Sequence, residues 1–105
     1  MKRLLWIVIA LGFVAGVPVA RADDAAKVFA AQCVSCHGAD GKGQTPLCKQ
    51  IAVRDWSDPK TLKPMSDVEL EKMISAGKKL MPGFATLGAP QIKSLVAYVR
   101  SFEPK

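Results

Sequence analysis

The sequence is poor in the features that nucleic-acid-binding and membrane-spanning domains need. After residue 22 no run of Lys or Arg exceeds two residues, and five aromatic side chains remain, namely Phe29, Trp56, Phe84, Tyr98 and Phe102. A nucleic-acid-binding surface needs clustered basic residues with aromatic side chains among them, so we expect no nucleic-acid partner. No long apolar segment follows residue 22 either, and we therefore predict that residues 23–105 do not span a membrane.

Strand patterns and histidines are also scarce. No segment alternates polar and apolar residues for long enough to predict a strand, which favours an all-α domain. His37 is the single histidine of the 105-residue chain. Ligation of one metal ion by two histidines of the same chain is therefore excluded.

The N-terminus is typical of an export signal. Residues 1–3 are Met-Lys-Arg, residues 4–14 are almost entirely apolar, and residues 20–22 are Ala-Arg-Ala, the pattern that signal peptidases cleave. We predict a cleaved signal peptide over residues 1–22 and a mature domain over residues 23–105 in an oxidising periplasm. The alternative is an uncleaved membrane anchor, for which the apolar stretch is barely long enough.

Three helical patterns follow in the mature domain. The first covers about Asp24 to Cys36, the second begins at a capping box over residues 66–69 and ends at Gly77, and the third begins at Pro90. Between the first and second, residues 47–65 are predicted to form loops and short turns. The side chains that share one face of each helix are Phe29, Cys33 and Cys36; Leu70, Met73 and Ile74; and Ile92, Leu95, Val96, Val99 and Phe102.

Residues 33–37 form the motif Cys-Val-Ser-Cys-His, and C-x-x-C-H is the attachment signature of c-type haem. Cys33 and Cys36 lie three residues apart near a helix end, so both sulfurs face one side. They can form thioether bonds with the two vinyl groups of one porphyrin, while His37 becomes the proximal iron ligand. A bound porphyrin also supplies apolar surface that so small a domain otherwise lacks.

Other uses of these cysteines fit less well. A thioredoxin-type site needs a neighbouring strand, and a disulfide between Cys33 and Cys36 would be strained on a helix. A zinc site of Cys33, Cys36, His37 and Cys48 stays the main alternative to haem. Its weakness is that two adjacent residues, Cys36 and His37, fit poorly around one tetrahedral ion.

With this motif, the mature chain resembles the small bacterial class I c-type cytochromes, whose single haem has His/Met ligation. The resemblance includes Phe29, four residues before the motif, the glycine-rich turn over residues 38–43, and the helical segment over residues 95–99. Ala25 departs from the family, which often has glycine where the first and last helices cross. The resemblance implies the cytochrome c fold, with three main helices and loops around one covalently attached haem c.

The second iron ligand is predicted to be Met81. Besides Met81, the soft neutral donors of the mature chain are Met65 and Met73. Met73 lies on the apolar face of a helix, whereas Met81 lies in a loop before Pro82, and the resemblance places the distal methionine there. Met65 is the alternative ligand.

Two supporting roles come from the resemblance. It implies that the backbone carbonyl of Pro46 accepts a hydrogen bond from Nδ1–H of His37, which would fix the imidazole. It also implies that Trp56 donates its indole N–H to a haem propionate. For Trp56 the alternative is a half-exposed structural tryptophan.

Cys48 is an odd thiol once Cys33 and Cys36 have formed thioethers. In an oxidising compartment an exposed thiol tends to pair, which would give a disulfide-linked dimer through Cys48. We favour the alternative of a buried and unreactive Cys48.

Ligation by His37 and Met81 fills both axial positions of the iron, which suits one-electron transfer rather than catalysis on a substrate. We therefore predict a periplasmic electron carrier that is not an enzyme. Two alternatives are a five-coordinate haem gas sensor or weak peroxidase, and a fixed haem subunit of a larger redox complex.

The net positive charge of the mature domain suits acidic redox partners, although the excess of basic over acidic residues is small. Of the 15 Lys and Arg residues, three precede residue 23, which leaves 12 against 9 acidic residues and a net charge of +3. The lysines expected around an exposed haem edge are Lys42, Lys49, Lys60, Lys63, Lys78 and Lys79.

Overall fold

The computed structural model describes residues 22–105, and these residues form an all-α domain. The helices are α1 (Ala22–Gln32), α2 (Val34–His37), α3 (Pro46–Gln50), α4 (Pro59–Leu62), α5 (Asp67–Ala76) and α6 (Ala89–Arg100). Within these residues no β-strand forms, and an isolated bridge between Lys78 and Met81 is the one extended pairing. The predicted all-α class is confirmed.

The signal peptide predicted over residues 1–22 lies outside the described residues except for Ala22, which begins α1. Across residues 22–105, none of the helices combines the length and the apolar character that a membrane crossing requires.

The core lies where α1 packs on α6 and α6 packs on α5. Phe29 of α1 is 2% exposed, and its ring centroid lies 5.0 Å from that of Tyr98 and 5.4 Å from that of Phe102. Ala25, at the position where the resemblance expected a glycine, is also buried in this core. The apolar faces predicted for the first and third helices therefore meet each other.

The predicted start and end of α5 and the predicted start of α6 are confirmed. The Ser66 hydroxyl accepts a hydrogen bond from the Glu69 N–H at 3.1 Å, which pairs one of the free donors at the start of α5. Gly77 follows α5 with φ +76°. Pro90 lies in the first turn of α6, where its missing N–H costs nothing.

The first helix and the segment over residues 47–65 differ from the prediction. The helix predicted over Asp24 to Cys36 is interrupted at Cys33, whose φ of −117° separates α1 from α2. The segment over residues 47–65 contains most of α3 and all of α4 rather than loops and turns alone. The reason is that Pro46 and Pro59 begin these helices, each preceded by a residue whose side chain caps the first turn.

Arg100, at the end of α6, ties the chain between α4 and α5 to the core. Its guanidinium donates to the backbone oxygen of Met65 at 2.6 Å and to that of Leu62 at 3.5 Å. It also pairs with the carboxylates of Asp67 and Glu103. One planar side chain thus binds two backbone carbonyls and two carboxylates, which a lysine cannot do with a single ammonium group.

We predict that Arg100→Ala lowers the free energy of unfolding by about 2 kcal/mol, because two backbone carbonyls and two carboxylates lose a charged donor. Denaturant unfolding followed by circular dichroism measures the change. Arg100→Lys should recover only part of the loss. Lys93→Ala, at an exposed position of the same helix, is the matched control. Equal losses for Arg100→Ala and Lys93→Ala would contradict the prediction.

Candidate haem-binding site

The two cysteines and the histidine of the C-x-x-C-H motif lie in one tight turn. Cys33 precedes α2, and its carbonyl oxygen accepts hydrogen bonds from the N–H groups of Cys36 at 3.2 Å and His37 at 2.9 Å. Both cysteines are free thiols and partly exposed. Burial, with a smaller contribution from Cys36, raises the pKa of the Cys33 thiol, so Cys33 is protonated at neutral pH.

The imidazole of His37 is held against the ring of Trp56. The two ring centroids lie 4.2 Å apart with an interplanar angle of 23°, which is a stacked arrangement. Burial lowers the pKa of His37 below its ordinary value of 6.5. At neutral pH the imidazole is therefore uncharged, and the uncharged form is the one that ligates iron.

The Nδ1 atom of His37 is buried and has no hydrogen-bond partner among the described residues. The bond expected from Nδ1–H to the Pro46 carbonyl is therefore not formed here. Pro46 is instead the exposed first residue of α3. Buried polar atoms are nearly always paired, so an unpaired imidazole nitrogen is unusual outside a functional site.

Trp56 is buried, at 9% exposure. The alternative prediction of a half-exposed structural tryptophan is therefore wrong about its exposure. Its backbone N–H donates to the Gly41 carbonyl at 2.9 Å, and its ring also packs near Phe29. Gly41 has φ +70°, and a Cβ at this position would lie 2.8 Å from Cε3 of Trp56. The glycine-rich turn after the motif is therefore what lets the indole reach His37.

A small turn next to Trp56 is built on Asp55. The Asp55 carboxylate accepts from the Ser57 hydroxyl at 2.6 Å and from the Ser57 N–H at 2.8 Å. The hydroxyl bond is the largest cause that lowers the pKa of Asp55 below its ordinary value of 3.8. A carboxylate with a lowered folded-state pKa stabilises the fold above pH 3.8, and this contribution disappears as the pH falls through the folded-state pKa.

We predict that Asp55→Asn lowers the melting temperature slightly at pH 7 and that the difference from wild type shrinks below pH 3.8. The reason is that a protonated Asp55 and an asparagine are both uncharged and accept these bonds to a similar degree. Thermal unfolding of both proteins from pH 7 to pH 3 measures the difference. A difference that stays constant over this range would contradict the prediction.

The loop that carries Met81 folds back on the end of α5. Backbone hydrogen bonds join Lys78 and Met81 in both directions, at 3.1 and 3.0 Å, and Phe84 N–H donates to the Ile74 carbonyl at 2.8 Å. A Cβ on Gly83 would lie 2.6 Å from the carbonyl carbon of Ala76, so the loop contacts the helix too closely for a side chain there. The Met81 backbone is therefore well fixed.

Partly buried apolar side chains pack against the core. They include Cys33, Val34, Met65, Met81, Phe84 and Leu87. Leu47 is exposed, and Leu80, next to Met81, is 73% exposed. Apolar atoms left half-covered in this way can be buried by a large apolar group.

These residues fit a covalently bound haem. The site offers two free thiols at the C-x-x-C spacing, an uncharged imidazole with an unpaired buried nitrogen, and half-covered apolar side chains, among them two methionines. The zinc alternative is not supported, because residues 22–105 contain no group of three or more His, Cys, Asp or Glu residues placed to hold a metal ion.

Two features of the site were not predicted from the sequence. Thr45 caps α3 and reaches the backbone of α2, and the thiol of Cys48 reaches the same backbone. The Thr45-Pro46 pair, a capping residue followed by proline, was the available signal for a helix start. No short-range sequence pattern indicated that Thr45 and Cys48 contact α2. Cys48 is 0% exposed, and the structure thus agrees with a buried thiol.

Comparison with known proteins also indicates a c-type haem protein. The family described as cytochrome C oxidase, cbb3-type, subunit III matches residues 20–99. No curated protein matches the chain. Among solved structures, the KustC0563 c-type cytochrome is similar with a TM-score of 0.68 and 29% sequence identity. The match covers 76% of this chain and 98% of that chain.

Proposed function

Because the chain belongs to the family of cbb3-type cytochrome c oxidase subunit III and therefore to the c-type cytochromes, whose cofactor is covalently bound haem c, we propose that it carries single electrons on one haem. The observation that supports this most directly is the turn over residues 33–37. It presents two free thiols and an uncharged, partly buried imidazole side by side.

Each residue of the site has a proposed role. Cys33 and Cys36 form the thioether bonds, His37 is the proximal ligand, and Met81 is the distal ligand. When bound, the haem supplies a one-electron iron(III)/iron(II) couple. With His37 and Met81 both as ligands, the iron would have no open ligand position, which favours electron transfer over catalysis.

Pro46 and Trp56 have supporting roles in this proposal. Trp56 holds the imidazole of His37 by stacking, at a centroid distance of 4.2 Å, and its indole N–H is assigned to a haem propionate in this proposal. We also propose that, in the haem-bound protein, the Pro46 carbonyl accepts the Nδ1–H of His37, which has no partner here. Such a bond raises the basicity of the imidazole as a ligand.

The surface suits an acidic redox partner. All six lysines named from the sequence are exposed, and their positions are Lys42, Lys49, Lys60, Lys63, Lys78 and Lys79. They would steer an acidic partner protein toward the domain, with a modest effect because the net charge of residues 23–105 is small. The export signal predicted over residues 1–22 supports a periplasmic location for this exchange, and its cleavage would leave a mature protein that does not span the membrane.

A second candidate is a fixed haem subunit of a larger redox complex. The family that matches residues 20–99 takes its description from subunit III of an oxidase, which favours this candidate. The disulfide-linked dimer through Cys48 is disfavoured, since a fully buried sulfur cannot reach a second chain. Size-exclusion chromatography of a gentle periplasmic extract separates the candidates, because a carrier elutes at the mass of one small domain.

The main test is an absorption spectrum of the protein purified from the periplasm, oxidised and then reduced with dithionite. We expect sharp low-spin bands on reduction, a weak far-red sulfur-to-iron band in the oxidised form, and no change with carbon monoxide. High-spin bands that shift with carbon monoxide would instead indicate a five-coordinate gas sensor or weak peroxidase. A colourless protein would contradict haem binding.

A further inference from the structure

All four backbone carbonyls of α2 have hydrogen-bond partners, and two of these partners are side chains. The Val34 carbonyl accepts the Gly38 N–H at 2.7 Å, and the His37 carbonyl accepts the Gly43 N–H at 2.9 Å. The Ser35 and Cys36 carbonyls lie between these two and are reached by side chains from the start of α3. Carbonyls at the end of a helix lack intrahelical partners, so some other donor has to pair with them.

Thr45 and Cys48 supply the two side-chain donors. The Thr45 hydroxyl lies 3.2 Å from the Ser35 carbonyl oxygen, and the Cys48 thiol contacts the Cys36 carbonyl oxygen. The two side chains also contact each other, with 2.7 Å between Oγ1 and Sγ. The Cys48 N–H in turn donates to the Thr45 hydroxyl oxygen at 3.1 Å, which fixes the position of that oxygen.

One assignment of protons satisfies every group in this arrangement. The hydroxyl and the thiol carry one proton each. When the thiol donates to Cys36 and the hydroxyl donates to Ser35, both carbonyls are paired and the hydroxyl oxygen still accepts from the Cys48 N–H. Cys48 is fully buried, so water cannot replace the thiol as a donor.

We propose that Thr45 and Cys48 are positioning residues for the thioether-forming Cys36 and the iron ligand His37. They hold the two peptide groups that carry these ligands, and so they set the orientation of the His37 imidazole about the iron–nitrogen bond. This inference rests on the proposed function. It also gives Cys48 a purpose, because the third thiol acts as a buried donor instead of forming a disulfide.

The test compares Thr45→Val, which removes the hydroxyl at nearly constant volume, with Thr45→Ser, which keeps it. The readout is the pattern of haem-methyl resonances in the proton NMR spectrum of the oxidised holoprotein, since this pattern depends on the orientation of the axial imidazole. Thr61→Val is the matched control, because Thr61 is a buried threonine that lies in α4, away from α2, whereas Thr45 is partly buried beside α2. Thermal unfolding of each variant is measured in parallel.

We expect Thr45→Val to change the methyl pattern, Thr45→Ser to restore it, and Thr61→Val to leave it as in wild type. A Thr45→Val protein that loses thermal stability but keeps the wild-type pattern overturns the proposal, because Thr45 is then merely structural. If Thr45→Val does not accumulate, Cys48→Ser and Cys48→Ala are compared in its place. We then expect the methyl pattern to change in Cys48→Ala, which loses the donor, and to stay as in wild type in Cys48→Ser, which keeps one. A wild-type protein without a low-spin haem spectrum would instead overturn the proposed function.

Discussion

Replacing Cys33 and Cys36 together by alanine is expected to abolish covalent haem attachment. Without the two sulfurs no thioether can form, and His37 alone holds a haem only by a reversible bond. The haem content after denaturing electrophoresis, measured by haem staining, should fall from one per chain to none.

The same double variant should also lose most of its helical structure. The half-buried side chains around the site, such as Phe84 and Leu87, depend on the bound group to cover them. Far-ultraviolet circular dichroism of the exported protein measures this loss. A variant that keeps both its helicity and its thermal unfolding transition would contradict this prediction, because the side-chain core alone would then be enough to fold the domain.

Cys48→Ser is the matched control for the double variant. It removes a cysteine that the proposal does not assign to a thioether, and serine keeps a hydrogen-bond donor at this buried position. Covalent haem should therefore remain at the wild-type level in this variant. If instead Cys48→Ser lost its haem while the double variant kept it, the assignment of Cys33 and Cys36 would be wrong.

Met81→Ala is expected to convert the six-coordinate haem into one with an open ligand position. The far-red sulfur-to-iron band of the oxidised protein should disappear, and the reduced protein should bind carbon monoxide. The midpoint potential should also fall, because a thioether ligand raises the potential of a His-ligated haem. Absorption spectroscopy and a redox titration measure these changes.

Met65→Ala is the control that decides between the two half-buried methionines. Met65 packs against the same core as Met81, but its backbone is held by Arg100 and not by the loop after α5. We expect Met65→Ala to keep the far-red band and to remain unreactive toward carbon monoxide. The reverse result, with the band lost in Met65→Ala alone, would make Met65 the distal ligand.

Much of the fold and of the haem motif could be predicted from the sequence because the relevant signals are local. The capping residue Ser66 and the terminator Gly77 lie within the helix that they delimit, so short-range geometry is enough to predict α5. In the same way, the spacing of Cys33, Cys36 and His37 already brings them into one turn. The class of cofactor follows from these three residues.

The interruption of the first helix at Cys33 was decided by tertiary structure. The apolar period continues through this position, so the sequence predicts one helix to Cys36. In the folded chain the segment after Cys33 is held by contacts with residues far along the sequence. Trp56 stacks on His37, and Cys48 contacts the Cys36 carbonyl, across separations of 19 and 12 residues.

The sequence by itself therefore determined the helical class, the start and end of α5, the start of α6, and the turn that holds Cys33, Cys36 and His37, because each depends on residues within a few positions of one another. Only the tertiary structure decided that Cys48 is buried, that Trp56 covers the imidazole, and that Thr45 pairs with a carbonyl of α2. These contacts join α2 to distant loops. Their partners are fixed by how the whole chain packs around Phe29, which no short-range pattern encodes.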